Sequence, residues 1–292
     1  LFINQDTGFL VGSEGLVLFT ENNGISWEIV DTQTNEQFNS IFFYQRFGWI
    51  FGENGTYLIT ENNGTTWTLM SYYGDMNSSW FIDSLNGWVA CDDGYILNTD
   101  DGGVSWDFTN FSSYNLYSII FSDSQCGFTN ESSNKIGYTN NAGQTWIYKD
   151  LDLNGHYIDD IYFINNDTGW MVGSGGIIMK TIDGGISWNE ISSNTSSNAV
   201  KAIFFFFFYN GWAANGAQYD HIIVTDDGGT TWNPKFVAQS IGTINDIQFL
   251  DYNNGWLCSI NDIYRTTNRG DYWQLKYSHS GNVNFRHIEF KN

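Results

Sequence analysis

The sequence predicts an all-β fold: a seven-bladed β-propeller with four antiparallel strands per blade, its ring closed by the C-terminal strand. Three observations predict it. A short motif recurs seven times, as "TENNGISW" from Thr20, "TENNGTTW" from Thr60, "TDDGGVSW" from Thr99, "TNNAGQTW" from Thr139, "TIDGGISW" from Thr181, "TDDGGTTW" from Thr225 and "TTNRGDYW" from Thr266. Its tryptophans, Trp27, Trp67, Trp106, Trp146, Trp188, Trp232 and Trp273, are 40, 39, 40, 42, 44 and 41 residues apart, a mean of 41. A period of ~40–45 residues is that of a four-stranded propeller blade. Between the motifs lie short β-branched and aromatic runs punctuated by Gly and Asn, with no competing helical periodicity.

Repeat five shows the elements in order. Ile158, Ile161 and Phe163 begin a first strand, and Gly169 and Trp170 open a second, "GWMVG". A Ser-Gly-Gly turn leads to a third, "IIMKT", and the motif turn leads to a fourth starting near Trp188. The blades then run approximately 1–31, 32–71, 72–110, 111–150, 151–193, 194–237 and 238–277, in one domain. The segment 282–290, "NVNFRHIEF", reads as a spare first strand. Blade one lacks most of its own, so the C-terminal strand is expected to complete the ring and remove an open edge. Phe2 and Phe290 both match the slot of Phe163, so either the closure is irregular or the chain is cut from something longer.

The motif is a turn. Its third position is Asn22, Asn62, Asp101, Asn141, Asp183, Asp227 or Asn268. Asp and Asn side chains bond to backbone amides two residues on and close tight turns. The glycine two residues later suits a positive φ. The tryptophan is expected to pack between neighbouring blades. A calcium loop needs several charged oxygens, whereas four of the seven motifs carry neutral Asn at this position; neither metal nor cofactor is expected.

These residues resemble the bacterial neuraminidase repeat, or Asp-box. With the added "GW-x-x-G" and seven copies, the chain is similar to the propeller family of photosystem II assembly and stability factors, from about Thr7 to Trp273. The resemblance implies the fold. It narrows function little, because Asp-box propellers serve sialidases, xyloglucanases, sorting receptors and assembly factors alike. Members of the assembly-factor family are taken to meet their partner through a basic patch. This chain is acidic and arginine-poor, so a docking role carries over and the partner does not.

Composition excludes several classes. Lys+Arg total 11 against Asp+Glu 32, a net charge of −21. A phosphate backbone repels such a surface, and so does an anionic membrane. No segment reaches the ~20 apolar residues of a transmembrane helix. The three cysteines, Cys91, Cys126 and Cys258, are odd in number and form no CxxC, so they read as small buried hydrophobes. The chain opens at Leu1 without a signal peptide, so a targeting segment is expected to have been cleaved or to lie beyond the sequence given.

Catalysis finds no support in the motifs. A sialidase needs three converging arginines, and the four here, Arg46, Arg265, Arg269 and Arg286, include one inside an Asp-box turn. An inverting glycosidase needs two carboxylates about 6.5–9.5 Å apart, and no pair is singled out. His156, His221, His279 and His287 are isolated.

Two surfaces remain. "KAIFFFFFYNGW", 201–212, has the length of its sister repeats, so Ile203 and Phe205 fall on core positions. Phe207, Phe208 and Tyr209 occupy a loop that is polar in repeats one and seven. An exposed aromatic triplet there marks a protein interface or a self-association surface. On the opposite face, loops from six blades carry Glu14, Glu53, Asp92, Asp93, Glu131, Asp220 and Asp262, with Tyr72, Tyr73, Tyr114, His156, Tyr157, Tyr219 and His221 nearby. Carboxylates beside aromatics suit a basic protein tail or a glycan. The sequence thus reads as a non-catalytic binding or assembly scaffold outside the cytoplasm, extracellular, cell-surface or periplasmic. The alternative is a carbohydrate-binding or glycoside-hydrolase-like propeller. Seven N-x-S/T sequons, at Asn54, Asn63, Asn77, Asn110, Asn130, Asn166 and Asn194, fit export.

Overall fold

The computed structural model describes residues 7–22, 24–132, 135–149, 151, 153, 155–191, 199–215, 222–237, 243–279 and 284–288. Seven antiparallel sheets, each a meander of consecutive strands, make it an all-β, seven-bladed β-propeller. The only helical turns among the described residues are three single 3-10 turns, at Glu53–Gly55, Asp92–Gly94 and Ser174–Gly176. The chain forms two compact units, Leu1–Leu151 with Lys291–Asn292, and Asp152–Phe290.

The first unit holds four blades. Blade one is β1 (Gly8–Val11), β2 (Val17–Thr20) and β3 (Glu28–Val30), three strands among the described residues. Blade two is β4 (Phe38–Tyr44), β5 (Phe47–Gly52), β6 (Thr56–Thr60) and β7 (Thr68–Ser71). Blade three is β8 (Met76–Phe81), β9 (Gly87–Cys91), β10 (Tyr95–Thr99) and β11 (Asp107–Asn110). Blade four is β12 (Leu116–Phe121), β13 (Gly127–Glu131), β14 (Ile136–Thr139) and β15 (Ile147–Lys149).

The second unit holds three. Blade five is β16 (Ile158–Phe163), β17 (Gly169–Gly173), β18 (Ile178–Thr181) and β19 (Asn189–Ile191). Blade six is β20 (Val200–Phe207), β21 (Asn210–Asn215), β22 (Ile222–Thr225) and β23 (Asn233–Lys235). Blade seven is β24 (Ile244–Phe249), β25 (Gly255–Ser259), β26 (Asp262–Thr266) and β27 (Gln274–Ser278). Segment 284–288 packs on blade seven, where the Asn245 amide donates to Asn284 Oδ1 and to the Phe285 carbonyl, and Phe285 and Ile288 are buried. Phe2 and Phe290 lie outside the described residues.

The blades are joined by aromatic packing. The second-strand tryptophan stacks flat on the last phenylalanine of the next blade's first strand: Trp49 on Phe81 at 3.8 Å, Trp88 on Phe121 at 4.1 Å, Trp170 on Phe205 at 3.6 Å and Trp212 on Phe249 at 3.8 Å. The Asp-box tryptophan of that next blade meets the same phenylalanine edge-on, as Trp106 meets Phe81 and Trp232 meets Phe205. Trp106 also meets Phe51 of blade two, so the box tryptophan lies between neighbouring blades as the sequence predicts. Each such ring pair adds ~0.5–1.5 kcal/mol to its burial. The glycine before the second-strand tryptophan is a packing requirement: a Cβ on Gly211 would lie 2.6 Å from the Phe205 ring.

The turn chemistry differs from the sequence reading in one respect. The box Asp or Asn does not bond two residues on. Asp227 Oδ1 accepts the Thr231 N–H, four residues on, at 2.9 Å, while the Gly229 N–H goes to the Thr225 hydroxyl at 2.9 Å. The turn is two residues wider than an Asx-turn, so the threonine that opens the motif takes the inner amide.

Candidate functional site

Each blade has two loop edges. The Asp-box turn donates a backbone N–H to the loop between strands one and two: Gly102 to Leu85, Gly184 to Asp167, Gly228 to Tyr209. On the other edge, the turn between strands two and three bonds to the connection between blades, as Tyr72 N–H to the Gly55 carbonyl and Ser174 N–H to the Tyr157 carbonyl. The two predicted surfaces therefore lie on opposite edges of their blades.

In the first unit the second edge carries Glu14, Glu53, Asp92 and Asp93. Glu14 and Asp93 stand at φ 58° and 56° at the turn tips and are exposed. Glu53 accepts the Gln37 amide at 2.9 Å and Asp92 the Asn77 amide at 2.8 Å. The Asn54 amide donates to Glu36 and the Asn54 backbone N–H to Asp75, both at 2.7 Å. Amides thus hold the carboxylates in place without neutralising them. Tyr73 and Tyr114 are exposed beside them. Tyr72 is different: it packs into the core between blades two and three, and its hydroxyl donates to the Trp106 carbonyl at 3.3 Å. Glu131 is buried, accepting the hydroxyls of Ser112 and Tyr148, and is not part of the surface.

In the second unit, the same edge shows Tyr157 exposed, with the Lys201 ammonium 5.5 Å from its ring. His156 lies over the bare Cα of Gly175, where a Cβ would come within 2.1 Å of its ring. Asp262 is half-buried on blade seven. Tyr219, Asp220 and His221 lie outside the described residues.

On the Asp-box edge, Phe207, Phe208 and Tyr209 are 54%, 40% and 60% exposed, whereas Phe204 and Phe205 are core. The seven box residues Asn22, Asn62, Asp101, Asn141, Asp183, Asp227 and Asn268 all accept a threonine hydroxyl and are engaged in their own turns.

One set of residues escaped the sequence reading. First strands bulge between their first and third residues, at Phe38/Ser40, Met76/Ser78, Leu116/Ser118, Ile158/Asp160, Val200/Ala202 and Ile244/Asp246. The second residue links neighbours: the Asn39 amide donates to the Met76 carbonyl and the Asn77 amide to the Leu116 carbonyl, while Lys201 pairs with Asp159 at 2.7 Å. The third residue accepts the amide freed by the next blade's bulge, as Ser78 accepts the Ile119 N–H and Asp160 the Ile203 N–H. Polar pairs inside "FNSIFF", "MNSSWF", "IDDIYF" and "INDIQF" were the signal. Burial and the charge of Asp246 raise the Asp160 carboxyl to about 7, against two backbone N–H donors that lower it.

None of the arginines joins another. Arg46 lies over Phe47, Arg265 over Trp256, and Arg269 over Tyr252 while pairing with Asp226; Arg286 is exposed.

Comparison with solved structures finds the same fold in a YCF48 bound to D1 peptide, at 21% identity and a TM-score of 0.71, covering 96% of this chain and 90% of that one. YCF48 from Cyanidioschyzon merolae matches at 20% identity and 0.73, covering 88% and 90%. The GH74 xyloglucanase from Xanthomonas campestris matches at 12% identity and 0.79, covering 95% of this chain and 54% of the enzyme. No curated protein sequence matches. The family model for the photosynthesis system II assembly factor YCF48 matches residues 1–77 and 110–245, and on that match the chain belongs to the YCF48 family.

Proposed function

We propose that this protein is a non-catalytic docking scaffold that engages a protein partner outside the cytoplasm. The observation that carries the reading is membership of an assembly-factor family, together with a related fold that holds a D1 peptide. The site supports it. The arginines are each held against a separate ring or carboxylate, or exposed alone, and the half-buried carboxylates Glu53 and Asp92 are held by amides rather than set as an acid–base pair. A surface of this charge favours a partner segment bearing basic residues, through complementarity that speeds encounter and rejects acidic competitors. Of the seven sequons, Asn130 is buried and the Asn77 amide is spent on Asp92 and the Leu116 carbonyl, so glycosylation at these two is not part of the proposal.

An array of overlapping synthetic peptides, read with the labelled full chain, tests it. Saturable binding of a peptide class, with no turnover of xyloglucan or sialosides, is the expected result. Binding confined to glycans, or turnover lost on a single carboxylate substitution, overturns it.

A further inference from the structure

The loop between strands one and two follows one rule in four blades. Its second residue is Asp83, Asp123, Asn165 or Asp251, and a side-chain oxygen of each accepts two backbone N–H groups: Leu85 and Asn86, Gln125 and Cys126, Asp167 and Thr168, Asn253 and Asn254, all at 2.7–2.9 Å. Blade six breaks it. Phe207 stands in that slot, the cap is gone, and the strand is extended instead, with Phe207 paired to Asn210. The loop has exchanged a turn-stabilising side chain for three aromatic residues whose rings stand largely in solvent, against both turn preference and solubility. A local rule broken without a folding gain marks a functional site.

The surroundings state the chemistry of the occupant. The Lys180 ammonium lies 5.1 Å from the Phe208 ring and 5.3 Å from that of Trp170, donating to the Gly228 carbonyl at 2.8 Å. Gly228 leaves room for it, since a Cβ there would lie 3.3 Å from Nζ. Among the described residues no carboxylate pairs with Lys180. Of the neighbouring charges, Arg269 pairs with Asp226 and Lys235 with Asp271, while the Asp227 carboxylate is engaged in its own turn and acts on Lys180 only through space. Ile182 and Ile186, on the box turn of blade five that follows Lys180, are exposed as well. This edge of blades five and six thus exposes aromatic and aliphatic side chains around one lysine that no ion pair occupies, in a chain of net charge −21.

We propose that Phe207, Phe208, Tyr209 and Lys180 dock an apolar segment of a partner protein that carries a carboxylate. The inference rests on the reading of the chain as a protein-docking scaffold and adds a second surface with the opposite charge preference to the acidic edge. Aromatic side chains around a half-buried cation are the composition of an interface hot spot. A second copy is the weaker occupant, because two chains of this charge repel.

The test is fluorescence anisotropy of the full chain with labelled acetyl-Gly-Leu-Phe-Asp-Leu-Phe-Gly-amide and its Asn counterpart. Replacing Phe207, Phe208 and Tyr209 by the Asn, Asn and Asp of blade five restores the cap, so the variant keeps or raises its melting temperature and binds the Asp peptide at least about tenfold more weakly. Lys180→Met keeps the apolar stem; it weakens the Asp peptide about fivefold and leaves the Asn peptide unchanged. Equal binding by the triple variant overturns the surface, and equal binding of both peptides by the wild type overturns the carboxylate. A sedimentation coefficient that rises with wild-type concentration but not in the triple variant assigns the patch to a second copy and overturns the proposal. A scaffold that fails altogether is recognised separately, by a peptide array that stays blank on every surface.

Discussion

Asp246 holds Ile288: its Oδ2 accepts the Ile288 N–H at 2.6 Å, while its Oδ1 accepts the Ile247 N–H in its own strand at 2.8 Å. Asp160 does the same one repeat-pair earlier, with Ile161 at 2.8 Å and Ile203 at 2.9 Å. One carboxylate with two oxygens serves its own bulged strand and the segment packed against it. Blade six, between them, can therefore carry Ala202, and segment 284–288 can carry His287, which lies 3.1 Å from Asp246.

Asp246→Ala is therefore expected to loosen the C-terminal segment. It leaves two buried N–H groups unpaired, at ~1–3 kcal/mol each. Hydrogen exchange at Ile288 should accelerate well before that of β16–β18. Equal protection of Ile288 in variant and wild type would remove the role given to Asp246.

The same geometry sets a pH dependence. Asp160 faces Asp246 and His287, with Asp159 and Lys201 beside it, and its carboxyl titrates at about 7, raised chiefly by burial and then by Asp246. The unfolded carboxyl titrates near ~3.9. The folded state then binds more protons between these values, so stability falls as pH rises from ~4 to ~7 and levels off above. Asp159, raised mainly by burial against the pull of Lys201, acts in the same direction. Asp83, Asp101, Asp227 and Asp251 are lowered by the hydrogen bonds they accept, overcoming their burial where it is the larger single influence, and their contribution disappears as pH falls below ~4. Melting temperature should peak near pH ~4–5 and decline toward neutrality. Asp160→Ser, which installs the residue of blades two to four, should flatten the decline. A profile that rises steadily to pH 8 would contradict the assignment.

The blades were legible because each repeat states its strands and its turn in the same order seven times, and a period survives individual substitutions. Phe207–Tyr209 was legible for the related reason that it puts three aromatics where repeats one, five and seven place polar residues. Tyr72 and Glu131 were misplaced because loop position does not report burial: whether a tyrosine at a blade connection stands in solvent or turns into the seam depends on the space left by Met76, Phe51 and Trp106. Asp160 and Asp246 were missed because their partners are backbone amides, one in the same strand and one about forty residues on, and a backbone amide has no letter in the sequence. The opening threonine of the box was overlooked although it recurs seven times, since its bonds run to atoms two and four residues away and leave no covarying partner.

That threonine yields the last prediction. In blade six the Thr225 hydroxyl donates to Asp227 Oδ1 at 2.8 Å and accepts the Gly229 N–H at 2.9 Å. Asp227 Oδ2 accepts the Thr231 hydroxyl at 2.7 Å. In blade two the corresponding Asn62 donates its amide to the Thr66 hydroxyl at 2.9 Å. The seventh-position hydroxyl thus reverses from donor to acceptor, which is why Asp and Asn interchange in this turn with no charge requirement. Asp227→Asn should cost less than about 0.5 kcal/mol at neutral pH, as expected where every bond is remade. Thr225→Val keeps the shape but strands the buried Gly229 N–H, while Asp227 Oδ1 keeps the Thr231 N–H, at roughly 1–3 kcal/mol. Denaturant titration of both variants decides it. A larger loss from Asp227→Asn than from Thr225→Val would mean that the carboxylate charge, and not the threonine hydroxyl, organises the turn.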